Sequence, residues 1–255
     1  MTPPPSSSIA FDRIADRYDA TRGGDARGRH TAAAFAPWLP PGTVVELGVG
    51  TGLIGSAMAA SGRQIVGVDL ARPMLDRAAE RLPGRIVQGD VLAPPFRSGA
   101  AAAVVAVHVL HLVGDLAGAV RASAALLQRG GRLVVSGIDG NHHSDDDIWA
   151  IQHDVATRHR LIPNPPAEAI IDIGRDDGLV LIHDGHMPRR KFAQSPARAA
   201  DLLESRAWSW CWGISDDVWA SEVVPAIDAL RALPEPARQR QGWIEWRYVV
   251  LEATG

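Results

Sequence analysis

The sequence predicts an α/β fold, in which a mostly parallel sheet carries helices on both faces. From Pro41 onward, short β-branched segments alternate with helical segments rich in Ala, Leu and Arg. A glycine loop directly follows the first of these strands, and aspartates end the second and third. Alternation of this kind requires crossover helices and therefore parallel strands. It extends over about ninety residues, so it outweighs the propensity of any single segment.

Each element follows from this alternation. The predicted strands of the first half are Thr43–Leu47, Gln64–Asp69, Arg85–Gln88, Ala102–Val109 and Arg132–Ser136. The predicted helices are Leu53–Ala60, Met74–Arg81 and Leu116–Leu127, the last closed by Arg129, Gly130 and Gly131. The rhythm is lost after Ile138. The segments predicted beyond it are a strand at Leu179–His183, helices at Pro196–Ser205 and Asp216–Leu233, and a last strand at Trp243–Glu252.

Composition narrows the function classes. The chain has 26 basic and 29 acidic residues, a balance that does not suit binding to nucleic acid or to anionic membranes. Every basic residue except Lys191 is arginine, so a P-loop lysine is absent. The single cysteine, Cys211, allows neither an internal disulfide nor a zinc ribbon. We therefore expect a reducing compartment, and the cytoplasm is the default.

We expect neither an export signal nor a membrane-spanning segment. Residues 1–10 are rich in Pro and Ser, so we expect a disordered leader and not a signal peptide. The longest apolar run, Ala100–Val113, is shorter than the ~20 residues that span a bilayer.

The strongest functional signal is the segment Glu46–Gly52 between a strand and a helix. Its glycines at every second position allow a tight turn and a close approach of a ligand to backbone N–H groups. Asp69 ends the second strand, where a carboxylate accepts both hydroxyls of a ribose. Asp90 ends the third strand and can accept from an exocyclic amine, with the Val91 N–H beside the ring. Together these loops predict an adenosine site at one edge of the sheet.

The identity of the cofactor stays open on this evidence. Residues 50–55 also satisfy the dinucleotide pattern G-x-G-x-x-G, so a nicotinamide cofactor is an alternative. Glu46 opposes it, because a carboxylate before the glycines would repel a pyrophosphate but could organise a loop that faces a cationic ligand. Asp90 has no task in the dinucleotide scheme.

Several motifs in the expected order resemble those of class I S-adenosylmethionine-dependent methyltransferases, in particular the type-11 group. The matching motifs are residues 46–52, 67–70 with 73–75, 89–91, 108–111 and 130–133. The resemblance spans roughly residues 11 to 137. It implies a Rossmann-like, doubly wound, seven-stranded sheet whose last strand is antiparallel.

The resemblance also implies a site map. It places Gly48, Gly50 and Gly52 near the methionine part of S-adenosylmethionine, Asp69 on the ribose, and Asp90 with Val91 on the adenine. Further residues expected to contact the cofactor are Glu46, Leu70, Met74 and Arg22. The N-terminal segment, Phe11–Arg13 through Tyr18 and Asp19, is expected to fold over the cofactor, although Phe11 and Tyr18 alone also suit the buried stripe of an amphipathic helix.

Domain organisation follows from the same map. We expect a single methyltransferase domain over residues 11–255. Its parts are a cofactor-binding core at 11–137, a substrate-shaping insertion at 138–240 and a final strand at 241–255. The expected partner is a small-molecule methyl acceptor, with no nucleic acid and no membrane, and the protein is expected to be a monomer or homodimer. A protein that binds S-adenosylmethionine without transferring its methyl group is a further alternative.

Methyl transfer needs alignment of the acceptor and exclusion of water more than it needs an enzyme nucleophile. A base is required only if the acceptor must lose a proton. His108 is the candidate base because it ends the fourth strand, at the ligand edge of such a sheet. Tyr18 is the second candidate catalytic residue, while His111 fits a loop or the start of a helix.

The tryptophan-rich segment Trp208–Trp212 is the most unusual composition in the chain. In an extended conformation its three rings, Trp208, Trp210 and Trp212, share one face and form a wall for the acceptor, whereas core packing is the alternative. A second polar cluster, His142 and His143 with Asp145–Asp147, fits a helix start better than a metal site, so we expect no metal. The run Arg189–Lys191 fits a solvated face better than a clamp on an acidic substrate.

Overall fold

The computed structural model of the protein describes residues 15–144, 146–159 and 164–254. The expected leader at 1–10, Phe11–Arg13 and Asp145 lie outside these ranges. Within them the chain forms two compact units. The larger unit comprises residues 15–141 together with 164–188 and 246–254, and the smaller comprises 142–144, 146–159 and 189–245.

The larger unit contains a seven-stranded sheet. Its strands are β1 Thr43–Leu47, β2 Gln64–Asp69, β3 Ile86–Gln88, β4 Ala101–Val107, β5 Leu127–Ser136, β7 Leu179–His186 and β10 Arg247–Ala253. Their order is β3-β2-β1-β4-β5-β10-β7. The first five strands pair in parallel, and β10 is antiparallel to both β5 and β7. This arrangement confirms the predicted fold class and the antiparallel last strand.

Helices cover this sheet. Those of the larger unit are α1 Ala15–Arg22, α2 Gly24–Phe35, α3 Leu53–Ala60, α4 Arg72–Arg81, α5 Leu116–Leu126 and α7 Ala167–Asp176. Asp115 begins α5 by accepting a hydrogen bond from the Gly118 N–H at 2.8 Å, the usual function of an N-cap carboxylate. Among the described residues, no helix combines the length and apolar character needed to cross a membrane.

The core of the larger unit lies against β4 and its neighbours. All seven residues of β4, which are Ala and Val, are buried. A strand between two parallel neighbours and two helical layers has no solvent face, which is why its sequence is continuously apolar instead of alternating. This central strand delivers His108, the next residue, to the carboxyl edge of the sheet.

Strand β5 differs from the prediction. The sequence places a turn at Arg129–Gly131 between helix and strand, but β5 already begins at Leu127. Ala101 pairs with Leu127, while Ala103 pairs with Arg132, so β5 has extra residues at this point. Gly130 has a φ of 71° and therefore allows an irregularity within the strand where the sequence suggests a boundary.

The predicted last strand, Trp243–Glu252, is wrong in its extent. The chain forms two strands there, β9 Arg240–Glu245 and β10 Arg247–Ala253, in two different sheets. Trp246 lies between them, and its carbonyl accepts a hydrogen bond from the Met187 N–H at 2.9 Å. The apolar alternation continues across this junction, so it does not show which sheet each half joins.

The smaller unit has its own sheet and core. The sheet is β6 His142–His143, β9 and β8 Arg190–Gln194, in that order and antiparallel. Its helices are α6 Asp147–His159, α8 Pro196–Glu204, α9 Asp216–Val218 and α10 Val224–Ala232, with a π-helical turn at Trp219–Val223 between the last two. Ile148, Leu203 and Leu230 belong to the buried cluster that holds these helices together.

Candidate functional site

The glycine loop has the backbone conformation that its sequence predicts. Gly48, Gly50 and Gly52 have φ values of 69°, 54° and 79°, which are strongly unfavourable for any residue that has a Cβ. A Cβ on Gly48 would lie 2.5 Å from a methyl carbon of Val109. A Cβ on Gly50 would instead meet no atom within 4 Å. The backbone at Gly50 therefore borders open space in which a ligand can lie directly against it.

Asp69 ties this loop to the end of β2. Its Oδ2 accepts a hydrogen bond from the Gly50 N–H at 2.8 Å, and its Oδ1 accepts one from the Ala71 N–H at 2.9 Å. A carboxylate has about four lone-pair positions, so these bonds leave acceptor capacity for two hydroxyl groups. Asp69, the residue predicted to bind the ribose, thus also sets the shape of the glycine loop.

The loop and Asp69 border an open cleft of about 700 Å³ at the carboxyl edge of the sheet. The residues that line the cleft are Tyr18, Gly48, Gly50, Asp69, Leu70, Ala71, Met74, Asp90, Val91, Val107, His108, Val109, Leu112 and Val113. The structure therefore brings together most of the residues that the sequence assigns to the cofactor.

Apolar side chains form the walls beside the two aspartates. Leu70 is 48% exposed and lines the cleft, while Met74 and Val91 are buried behind its surface. Asp90 follows β3, and its Oδ1 accepts a hydrogen bond from the Leu92 N–H at 2.9 Å. A nucleobase with an exocyclic amine would suit this part of the cleft, because its planar ring can lie between the apolar walls while its amine donates to the carboxylate.

Three residues of the predicted cofactor set do not line the cleft. Glu46 is buried beneath the loop. A Cβ on Gly52 would lie 3.2 Å from Ala78, so this glycine serves the packing of α3 against α4. Arg22 places its guanidinium 5.5 Å from the centre of the Tyr18 ring. These residues support the site from behind, and direct contact with a cofactor stays a prediction for them.

Glu46 has an unusual electrostatic environment. Complete burial raises the pKa of its carboxyl group to about 8, although the Gly55 N–H donates a hydrogen bond to it, which lowers the pKa, and nearby Asp69 raises it further. Gly55 lies in the first turn of α3, where backbone N–H groups lack partners within the helix. The carboxyl of Glu46 therefore already takes one of the N–H groups at the helix terminus where a pyrophosphate would bind.

His108 is held in a strained conformation at the wall of the cleft. Its φ is 53°, rare for a residue with a side chain, and its N–H donates to the Ser136 carbonyl at 3.0 Å. A Cβ on Gly137 would lie 2.7 Å from Nδ1 of His108, so only glycine leaves room for this ring. Such strain concentrates at functional sites, which supports the assignment from sequence.

Sequence reasoning missed an aromatic and cationic cluster behind His108. The rings of His108 and Trp246 meet edge to face, with centroids 6.1 Å apart. His30 lies edge-on to Trp246 at 6.4 Å, and the Arg27 guanidinium lies 5.7 Å from the centre of the same ring. His30 and Arg27 are on α2, where the sequence shows no motif. The large ring of Trp246 is the one feature of the sequence that could have indicated this cluster.

The tryptophan-rich segment is not extended, so the expectation of three rings on one face is wrong. Ser209–Cys211 forms a 3₁₀ turn. The Trp208 and Trp210 rings are 6.4 Å apart and nearly parallel, and the Trp212 Nε1 donates to the Arg206 carbonyl at 2.8 Å. All three rings pack against the core of the smaller unit. A role in acceptor binding stays a prediction for them.

The remaining polar clusters have structural roles in the described chain. Asp146 Oδ1 accepts from the Trp149 N–H at 2.8 Å and so begins α6. The His143 and Trp149 rings stack at 3.6 Å. Among the described residues, no group of three potential ligands is placed to hold a metal ion. Arg189 pairs with Glu245 and lies 3.7 Å from the Trp243 ring centre, which agrees with a surface role.

Comparison with known proteins supports this geometry. Residues 45–135 match a family model described as a methyltransferase domain. A demethylmenaquinone methyltransferase of Thermus thermophilus is 35% identical over 137 residues, which cover 49% of this chain and 62% of that protein. A demethylmenaquinone methyltransferase of Tropheryma whipplei is 30% identical over 136 residues, which cover 49% of this chain and 56% of that protein. The chain thus covers less than two thirds of the length of these relatives.

Solved structures share the fold. The [4+2]-cyclase SpnF superposes with a TM-score of 0.60 at 14% identity, covering 96% of this chain and 94% of that one. A phosphoethanolamine N-methyltransferase of Haemonchus contortus, solved with S-adenosylhomocysteine, gives 0.56 at 17% identity and covers 96% of this chain and 58% of that one. At these identities the likeness concerns the fold alone.

The sheet order and the cleft define a Rossmann-like methyltransferase fold. The match over residues 45–135 and these relatives confirm the resemblance to class I S-adenosylmethionine-dependent methyltransferases that the sequence motifs indicate.

Proposed function

We propose that the protein binds S-adenosylmethionine in the cleft and transfers its methyl group to a small-molecule acceptor. The observation that carries the proposal is the combination, in one cleft, of an open backbone surface at Gly50, the acceptor groups of Asp69 and apolar walls at Leu70 and Met74. S-adenosylmethionine would supply an electrophilic methyl group on a positively charged sulfur. The chain's own task is then to bind, align and exclude water.

Each part of the cleft has a role in this proposal. Asp69 would accept hydrogen bonds from the ribose, and Asp90 with Val91 would hold the adenine edge. The backbone at Gly48 and Gly50 would lie along the methionine portion, where no side chain intervenes. Tyr18 would cover the cofactor from α1.

His108 is proposed as the base that takes a proton from the acceptor. Its ring lies at the cleft wall next to Val107, Val109 and Leu112, which are apolar. This wall suits an apolar acceptor with an ionisable hydroxyl, whose proton would pass to a ring nitrogen of His108 as the acceptor takes the methyl group and the bond between that methyl carbon and the sulfur breaks, which leaves S-adenosylhomocysteine. The reduced form of demethylmenaquinone, the compound after which these relatives are named, has ionisable hydroxyl groups of this kind.

The His108→Gln variant tests the proposed base. Glutamine keeps a hydrogen-bonding group of similar reach but does not take a proton near neutral pH. We expect kcat to fall about 100-fold or more with the dissociation constant of S-adenosylhomocysteine little changed. His111→Gln, on the neighbouring 3₁₀ turn, is the control. A kcat for His108→Gln close to that of the control would contradict the base assignment.

The nicotinamide alternative is not favoured. A dinucleotide needs the N-terminus of α3 for its pyrophosphate, and there the Gly55 N–H already donates to the buried Glu46 carboxyl. Thermal-shift titration separates the two cofactors. We expect S-adenosylhomocysteine to raise the melting temperature and NAD(H) and NADP(H) to leave it unchanged. Stabilisation by the dinucleotides alone would contradict the proposal.

Binding and transfer need separate tests, because SpnF shares this fold and is a cyclase. Purified protein is incubated with methyl-labelled S-adenosylmethionine and an extract that contains reduced quinones and other apolar phenols. The proposal predicts labelled product that depends on His108. If the cofactor binds and no label is transferred, the protein is a binder or a catalyst of another kind.

The role of the smaller unit is also a proposal. Residues 138–240, which the sequence assigns to an acceptor-shaping insertion, include Trp208, Trp210 and Trp212. Substituting Trp210 by Leu should alter acceptor KM more than cofactor affinity. A loss of folding stability alone would assign these rings to the core of that unit.

A further inference from the structure

A polar junction fastens helix α1 to the glycine loop of the larger unit. The Asp19 carboxylate accepts a hydrogen bond from the Thr51 hydroxyl at 2.5 Å and an ion-paired hydrogen bond from Arg81 Nη2 at 2.7 Å. The other terminal nitrogen of Arg81 donates to the Thr51 carbonyl at 2.8 Å. Three side chains from distant parts of the sequence thus satisfy one another in a closed ring of contacts.

The junction connects the elements that form the cleft. Thr51 lies in the loop between Gly50 and Gly52 and is 1% exposed. Arg81 is the last residue of α4, the helix that follows the Asp69 loop. Asp19 is adjacent in sequence to Tyr18, which lines the cleft. The junction therefore fixes the position of Tyr18 relative to both the methionine and ribose regions of the site.

Helix α1 has little else in its own sequence to hold it in place. Its eight residues, ADRYDATR, include one large apolar side chain, Tyr18. An eight-residue helix of this composition is marginal by itself in water. The Asp19 and Arg81 side chains are 25% and 30% exposed, so water screens their attraction less than that of a surface pair.

We propose that Asp19, Thr51 and Arg81 form a latch that holds α1 over the bound cofactor and limits its release. Asp19 and Arg81 are positioning residues in this proposal, since they act through Tyr18 and the glycine loop and need not contact the cofactor. The inference rests on the proposed function of the cleft. It predicts that closing the latch and binding the cofactor stabilise each other, as linked equilibria require.

The test uses Asp19→Asn, Arg81→Gln and the double variant of the full chain. S-adenosylhomocysteine affinity is measured by calorimetry and its dissociation rate by displacement in a stopped-flow instrument. Each single variant should release the ligand at least about fivefold faster, and the double variant should be no faster than the worse single one. Arg72→Gln is the control, because it breaks an exposed ion pair with Asp76 on the same helix.

Hydrogen exchange provides a readout that a merely structural role would not change. In the wild-type protein the ligand should slow exchange of the α1 amides, residues 15–22. In Asp19→Asn this ligand-dependent difference in the exchange of α1 should be lost. Dissociation rates within about twofold of the control, or additive effects in the double variant, would overturn the latch.

The two proposals fail in different ways. If wild-type protein does not bind S-adenosylhomocysteine, the proposed function is wrong and the latch has no ligand to retain. If wild-type protein binds it and the Asp19 and Arg81 variants release it at the control rate, only the latch is wrong.

Discussion

The carboxyl group of Glu46 lies under the glycine loop with 2% of the residue exposed. Burial keeps it protonated at neutral pH, since its pKa is about 8 in the folded chain and about 4.5 in the unfolded one. The unfolded state therefore releases a proton over a pH range in which the folded state retains it. The loop is thus built on a neutral acid that the sequence alone would describe as a charge.

This difference predicts how stability depends on pH. A raised folded-state pKa contributes stability that is complete below the unfolded value and is lost as pH rises through the folded value. Relative to Glu46→Gln, the wild-type free energy of unfolding should decline between about pH 4.5 and pH 8, by roughly 1 kcal/mol per pH unit, and then level off. Urea titrations across that range measure it, with the exposed Glu80→Gln as control. A flat difference would show that Glu46 is ionised when folded.

Gly50 offers a second prediction at the level of one residue. An added Cβ at Gly50 or at Gly62 meets no atom within 4 Å, and both have positive φ. Gly50→Ala and Gly62→Ala should therefore cost similar stability, about 1–2 kcal/mol each. Only Gly50→Ala should also weaken S-adenosylhomocysteine binding, by about tenfold or more, because its methyl group enters the cleft. Equal affinities in calorimetry would show that the ligand lies elsewhere.

Single residues were predictable where local geometry demands one residue type. The glycines at 48, 50 and 52 and the strand-ending Asp69 are such cases, because a turn with positive φ and a rim position restrict the choice. Trp246, His30 and Arg27 were not predictable, since their contacts depend on how α2 packs beside the end of the sheet. The same holds for Asp19 and Arg81, whose pairing joins residues 62 positions apart.

The last strand of the large sheet is anchored by an arginine that joins three other segments. Arg247 makes a bidentate pair with Asp184 on β7 at 2.9 and 2.8 Å, and it also reaches Glu168 on α7 at 3.1 Å and Asp139 after β5 at 3.4 Å. Its side chain is 18% exposed. The hydrogen bonds with Asp184 lower the pKa of that carboxyl and raise the pKa of Arg247. The pKa of Glu168 is lowered first by a hydrogen bond from its own backbone N–H and then by the bond from Arg247.

Removing this arginine should loosen the antiparallel edge of the sheet. Arg247→Met should cost about 1–3 kcal/mol at pH 7, because three carboxylates lose their common partner. Depressed carboxylate pKa values contribute stability above their unfolded values that is lost as pH falls through the folded ones, so the cost should shrink below about pH 4. Arg175→Met, which breaks an exposed pair with Asp172, is the control. A cost equal to that of the control would contradict this role.

Elements were predictable where periodicity and capping agree. Strand β1 and helix α3 have the predicted bounds, since a β-branched run and a glycine loop define both ends. The stretch from Trp243 to Glu252 failed because alternation reports that a strand is half buried and says nothing of its partner. Gly130 failed for a related reason, since a glycine with positive φ ends a helix or bends a strand equally well.

For the whole molecule, the order of motifs along the chain predicted the parallel sheet and the edge at which the cleft lies. The division of the described chain into two compact units was not predicted, because residues 164–188 return to the larger sheet from within the expected insertion. Neither composition nor periodicity indicates that a later segment joins the first sheet. The acceptor is likewise absent from motifs that concern the cofactor.

The most direct test of the account is a crystal structure of the protein with S-adenosylhomocysteine. We predict that the ribose hydroxyls lie within hydrogen-bonding distance of the Asp69 carboxylate, with the adenine between Leu70 and Val91 and the ligand backbone against Gly50. An adenosine bound away from this edge of the sheet, with the cleft beside Asp69 empty, would show that this cleft is not the cofactor site.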